Sequence, residues 1–339
     1  MNIDLNQSDT FDSINHKELF EGVQIIFGFY LIPIVCIPGL IGNILCIIVF
    51  ITNTISDTIK LSNDLLYSLV LIIQAINQEF GKKIFLLLYR YCHYINTVST
   101  LCTAWLTLIV AIERYVLCNV DSRRRLFVQR NSRSICYTII LCSLALALPV
   151  SFRYEIIPVS TANQNLSSSA SPISLSVFGR SRAFRLYSIS IDVIRAIVPS
   201  LFLLYLNTRI VYLLYRMKSS AGTAFYRLTI SLIIIIGCFI FCYFPDALLS
   251  LILDMGYIDE SYQRRAIREI TDFFVTLNSA INFPIYFSIS YTFRRSVLRL
   301  FERRMKSYYP TTYADIIHRQ RQQIEVQQQQ QLNNMGVML

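Results

Sequence analysis

Apolar residues make up 54% of this chain and charged ones only 15%, so the side chains able to do chemistry are the polar ones set inside apolar runs. One run reads Asn278-Ser279-Ala280-Ile281-Asn282-Phe283-Pro284-Ile285-Tyr286. Asn, Ser and Tyr in a segment that must sit in hydrocarbon face a bundle interior and hydrogen-bond there, and Pro284 permits a kink. A second cluster is Glu113-Arg114-Tyr115, an acid beside an arginine at the edge of a run, where Glu113 can hold Arg114 until a rearrangement frees it. A third is Phe239-Ile240-Phe241-Cys242-Tyr243-Phe244-Pro245-Asp246, in which Pro245 allows a bend and the aromatic rings can repack across it. Asp192 and Arg195 stand three apart and can pair on one helix face. Asp246 and Asp272 each offer a carboxylate to a cationic group, and Asn96 adds an amide. This is the chemistry of binding and of changing shape.

Catalysis is not expected. The spacings G-x-S-x-G and H-E-x-x-H are missing, as are phosphate loops, and the histidines His16, His93 and His318 are scattered. The nine cysteines show no C-x-x-C pairing, and cysteine in an apolar run is a small filler. No metal or cofactor is expected. Nor is there a repeated pair of interrupted runs of the kind a two-halved transporter carries.

The elements that must position these residues are membrane helices, since a span takes about 20 apolar residues. Seven runs qualify, at 24–51, 59–80, 89–118, 134–151, 184–215, 223–254 and 266–290. The fold class is an all-α membrane protein, a seven-transmembrane helix bundle with a short amphipathic eighth helix. Four parts are expected: an N-terminal segment 1–23, a bundle 24–290, an amphipathic membrane-surface helix 291–306 and a glutamine-rich disordered tail 307–339. In the surface helix Phe293, Val297, Leu300 and Phe301 recur at helical spacing among Arg294, Arg295, Arg299, Arg303 and Arg304.

The first 23 residues hold Asp4, Asp9, Asp12, Glu18 and Glu21 against Lys17, so the first helix is expected to serve as its own insertion signal. Lysine and arginine favour the side bearing Arg123-Arg124-Arg125 and the tail, which places the N-terminus outside and the tail in the cytoplasm. Arg195 is the one base assigned to the inside of a span. Glycosylation acceptors at Asn6 and Asn165 fall on the outer side. The positive charge reads as topology and contact with lipid headgroups, with no basic face for nucleic acid.

These residues resemble the rhodopsin-like G-protein-coupled receptors over nearly the whole chain up to the tail. The marks are Gly42-Asn43 in the first helix, Glu113-Arg114-Tyr115 for the acid-Arg-Tyr motif, Pro199 in the fifth helix, and F-x-x-C-Y-F-P ending at Pro245. In the seventh, Asn278-Ser279 and Asn282 to Tyr286 stand for N-P-x-x-Y, with Pro284 one residue late. The form is most similar to invertebrate peptide receptors of the FMRFamide type. The resemblance implies a plasma-membrane receptor that binds an extracellular ligand, a neuropeptide, and activates a heterotrimeric G protein. Arg114 would meet the G protein, Tyr286 would swing inward in support, and Phe239 with Tyr243 would form a packing switch. Ligand contacts would come from Asn96, Asp192, Arg195, Asp246 and Asp272. A diverged chemosensory receptor for small molecules is the alternative.

Several departures accompany the resemblance. Counting from Asn43 to the acid usual in the second helix reaches Leu71, with Gln74 the nearest polar side chain, so the family's sodium site is expected to be incomplete. The only tryptophan is Trp105, Asn207 replaces a usual tyrosine, and the long connection 152–183 has no cysteine to bridge to Cys92. Asn96 stands where amine receptors carry aspartate, which argues against a biogenic amine. No lysine occurs in 266–290, so a retinal Schiff base cannot form there.

Overall fold

A computed structural model describes residues 16–49, 51–118, 122–156, 173–217, 223–253 and 261–308. The acceptors Asn6 and Asn165 and the tail beyond Tyr308 lie outside these. Helix α1 starts at His16 and runs through a π-helical stretch, Gln24–Leu31, into Ile32–Val49. It is followed by α2 (Ile51–Ile76), α3 (Gln78–Cys118) and α4 (Ser122–Ala147), which ends in a 3-10 turn, Leu148–Phe152. Helix α5 joins Arg182–Asp192, a π-helical turn Val193–Ile197 and Val198–Met217; α6 is Thr223–Leu253 and α7 is Tyr262–Ile289.

Six of the helices are apolar and long enough to cross a membrane on composition alone. The seventh, α7, has the length but carries Arg268, Glu269 and Asp272. Large apolar side chains such as Ile34, Ile41, Leu141, Leu201, Phe241 and Ile252 are exposed on the bundle surface, as a surface facing hydrocarbon requires.

The second helix is the main departure from the expected layout. It begins at Ile51, directly after α1 ends at Val49, and reaches only Ile76. Residues 52–58, expected to form a connection, are therefore helical. Asp57, Lys60 and Asp64 recur at three and four residues and so lie on one face, and all three are buried.

The core sits among α3, α5, α6 and α7, where Ala104, Leu108, Leu203, Phe239, Tyr243 and Val275 pack together. Helix α1 approaches α7 closely at two glycines. A Cβ on Gly39 would come within 2.7 Å of Ala280 Cβ, and one on Gly42 within 2.6 Å of Phe283 Cβ. This contact lets Asn43 donate from Nδ2 to the Ser279 carbonyl at 3.0 Å.

Between α4 and α5 the chain forms a two-stranded antiparallel hairpin, β1 (Tyr154–Ile156) with β2 (Ile173–Leu175), in which Tyr154 faces Leu175. No disulfide forms among the described residues, and Cys92 is unbridged. The hairpin is held instead by rings: Tyr154 is buried edge-on against Tyr89 of α3 at 5.3 Å and near His93 at 6.2 Å. The Arg153 guanidinium lies over the Tyr154 and Phe184 rings at 5.1 and 5.4 Å.

Helix α8 (Tyr291–Tyr308) is a separate unit that starts after Ser290. Its sequence alternates apolar positions with Arg294, Arg295 and Arg299, and it runs two residues beyond the expected end.

Candidate functional site

Three buried polar networks run through the bundle, and the deepest is built on a residue the sequence reading missed. Asp57 of α2 accepts from Thr103 Oγ1 of α3 at 2.8 Å and from Asn282 Nδ2 of α7 at 2.8 Å. Ser56 and Thr103 share a further bond at 3.0 Å. The Ser279 hydroxyl lies beside the same carboxylate, yet its buried oxygen closes no hydrogen bond among the described residues. The expected gap in the second helix is thus corrected: the acid is Asp57, and it meets the α7 polar motif. The count to Leu71 failed because α2 already begins at Ile51, eight residues before the expected start. A carboxylate with two hydroxyls, one still unsatisfied, is an oxygen donor set that fits a hard cation such as sodium.

The second network crosses α2, α3 and α7. Lys60 is 2% exposed, and its Nζ donates to Asp64 Oδ2 at 2.8 Å and to Asn96 Oδ1 at 3.0 Å. Thr276 Oγ1 donates to Asp64 Oδ2 at 2.7 Å. Arg195 is therefore not the only base inside the bundle. Arg268 is a third, buried on α7 with Nη1 3.3 Å from Ser250 Oγ. Asn96, expected to face a ligand, instead holds the Lys60 ammonium.

The third network joins α5 to α6. Sequence spacing allowed Arg195 to pair with Asp192, and it does, at 2.9 Å; the same Nη2 also reaches Asp246 Oδ2 at 2.9 Å. The π-helical turn Val193–Ile197 sits at this point, where one extra residue per turn re-aims a side chain. Asp246 is 1% exposed, and its Oδ1 closes no hydrogen bond among the described residues. Asp272 lies within electrostatic reach of Arg268, Asp246, Lys60 and Asp64, which brings the second and third networks together. Nearby, Tyr67 donates to Glu269 Oε1 at 2.9 Å and Gln24 reaches the Tyr67 hydroxyl at 3.4 Å.

The remaining candidates sit at the other end and in the middle. Phe239 and Tyr243 are fully buried and stacked at 4.3 Å, while Pro245 and Pro284 turn their rings outward. Arg114 and Tyr115 are half-buried. The Arg114 Nε is buried and closes no hydrogen bond among the described residues. Tyr286 packs with Val110, Leu232, Ile235, Ile281 and Ile285, within electrostatic reach of Arg114. Asn278 is buried and unbonded at Oδ1.

Seven helices around a polar and charged interior, with apolar surfaces outward, define an integral membrane protein of the receptor type. The family profile of the 7 transmembrane receptor (rhodopsin family) matches residues 42–286, more than half of the chain, and the chain belongs to that family. No curated protein matches it. It is therefore a multi-pass G-protein-coupled receptor of the plasma membrane, whose partners are an extracellular ligand and a heterotrimeric G protein.

Proposed function

We propose that the ligand is a short neuropeptide carrying a positive charge, which enters among α2, α5, α6 and α7 and settles against Asp246 and Asp272. The observation that carries this reading is the charge balance of that region. Among the described residues Asp64, Asp192, Asp246, Glu269 and Asp272 outnumber Lys60, Arg195, Arg265 and Arg268, and one Asp246 oxygen closes no hydrogen bond among them. Ionisable groups inside a membrane bundle are costly and mark functional sites, and an unbalanced acid is best stabilised by an incoming cation.

A guanidinium or ammonium at Asp246 would compete with Arg195 and loosen the tie between α5 and α6. Such an agonist would favour the arrangement in which Arg114 is open to the G protein, with Phe239 and Tyr243 repacked and Tyr286 turned inward. The N-terminus would face outward and α8 would lie on the inner leaflet. The second reading, a chemosensory receptor for small molecules, draws on the departures from the family pattern, chiefly the outer hairpin that closes without a disulfide.

The test is a potency comparison. Amidated peptides with and without arginine, and uncharged odorants, are applied to cells expressing the wild type or Asp246→Asn at matched surface levels. Arginine-containing peptides should lose at least tenfold in potency in the variant. Odorants acting equally on both, with no peptide response, would transfer the assignment to the chemosensory reading.

A further inference from the structure

An ammonium buried in a membrane bundle is costly and marks a functional position, and this one stands between two acids. Lys60 is 2% exposed, Asp57 2% and Asp64 9%. Asp57 comes three residues before the lysine on α2 and Asp64 four after it, so both carboxylates neighbour Lys60 on one helical face. The Lys60 Nζ donates to Asp64 Oδ2 at 2.8 Å and to Asn96 Oδ1 of α3 at 3.0 Å. An ammonium carries three protons, which leaves one for a further acceptor. Long side chains on a helix lean towards its N-terminus, the direction of Asp57, which already lies within electrostatic reach of Lys60. Reaching forward, the side chain meets Asp64; leaning back, it approaches Asp57.

Asp57 is also the carboxylate of the oxygen donor set that fits sodium. It accepts from Thr103 Oγ1 and Asn282 Nδ2, both at 2.8 Å. The Ser279 hydroxyl beside it is fully buried and closes no hydrogen bond among the described residues. These oxygens suit a hard cation, but an ammonium fixed one helical turn away opposes it. Like charges in a protein interior repel in inverse proportion to their separation. Asp64 offsets the ammonium only in part, because it stands roughly 10 Å along the helix from Asp57 and Lys60 roughly 4.5 Å.

We propose that Lys60 is a tethered competitor of sodium at Asp57. Its ammonium moves between Asp64 and Asp57, and in either place it raises the cost of a second cation beside Asp57. The charge that ties α2 to α3 and α7 is then carried by the chain itself, and free sodium binds weakly.

The experiment follows the unfolding midpoint of the purified full-length receptor through a sodium chloride titration, with N-methylglucamine chloride holding the ionic strength constant. Wild type is compared with the double variant Lys60→Met with Asp64→Leu, which removes the tethered charge together with its partner and leaves Asp57 in place. Half-saturating sodium should be at least fivefold lower in the double variant than in the wild type, and adding Asp57→Asn should erase the sodium-dependent rise. Lys60→Gln, which keeps a donor to Asp64 and Asn96 but loses the charge, should shift in the same direction, and it decides if the double variant does not fold. Equal half-saturation in the wild type and these variants would overturn the proposal, as would a sodium-dependent rise that survives Asp57→Asn or is missing from every protein tested.

Discussion

At the scale of single residues, the decisive feature is that this bundle buries complete ion pairs. A buried pair is a weak source of stability, but removing one partner strands the other charge and costs about 3–5 kcal/mol. Lys60→Met should therefore sharply lower the unfolding midpoint of the purified receptor, because Asp64 would keep only Thr276. The double variant Lys60→Met with Asp64→Leu should recover most of the loss. If the double variant is as unstable as the single, the pair is not the reason for the lysine. The Arg195 bridge makes a parallel case between helices. Arg195→Met should raise ligand-independent signalling by freeing α6 from α5, and exchanging the charges as Arg195→Asp with Asp246→Arg should bring it back down. Unchanged basal output in Arg195→Met would show that the bridge does not restrain α6.

At the scale of elements, two contacts replace devices that would otherwise be covalent or conventional. The hairpin between α4 and α5 is held by Tyr154 against Tyr89 and His93, and each aromatic pair contributes roughly 0.5–1.5 kcal/mol beyond its burial. Tyr154→Ala should speed hydrogen exchange in 154–156 and 173–175 while leaving α3 and α6 protected. Exchange that does not change would mean the rings add nothing to the anchoring. The second contact is α1 against α7, where Gly42 sits 2.6 Å from Phe283 in terms of the Cβ it lacks. Gly42→Val should push the helices apart, break the Asn43 bond to Ser279 and reduce surface expression several-fold. Normal surface levels would show that the two helices separate at little cost.

At the scale of the molecule, most of the bundle was legible in the sequence because long apolar runs have few alternatives to a membrane helix. The polar motif of α7 and the aromatic pair Phe239 and Tyr243 were legible too, since their residue types are out of place in such runs. The second helix was not. Asp57, Lys60 and Asp64 lower the hydropathy of its second to fourth turns, and a count from Asn43 presumed that the helix begins later than Ile51. The available signal was periodicity: charges at positions 57, 60 and 64 fall on one helical face, a pattern to expect when they point into a bundle.

The proposed function turns on Arg114, half-buried near the end of α3 with Tyr286 close by, which we propose as the group through which a bound ligand reaches the G protein. The most direct test is second-messenger output, calcium and cyclic AMP together, from cells expressing the wild type or Arg114→Ala at matched surface density and challenged with amidated arginine-containing peptides. The account expects a response in the wild type and at least a tenfold loss of maximal output in the variant, with peptide binding retained. Equal output from both would contradict it.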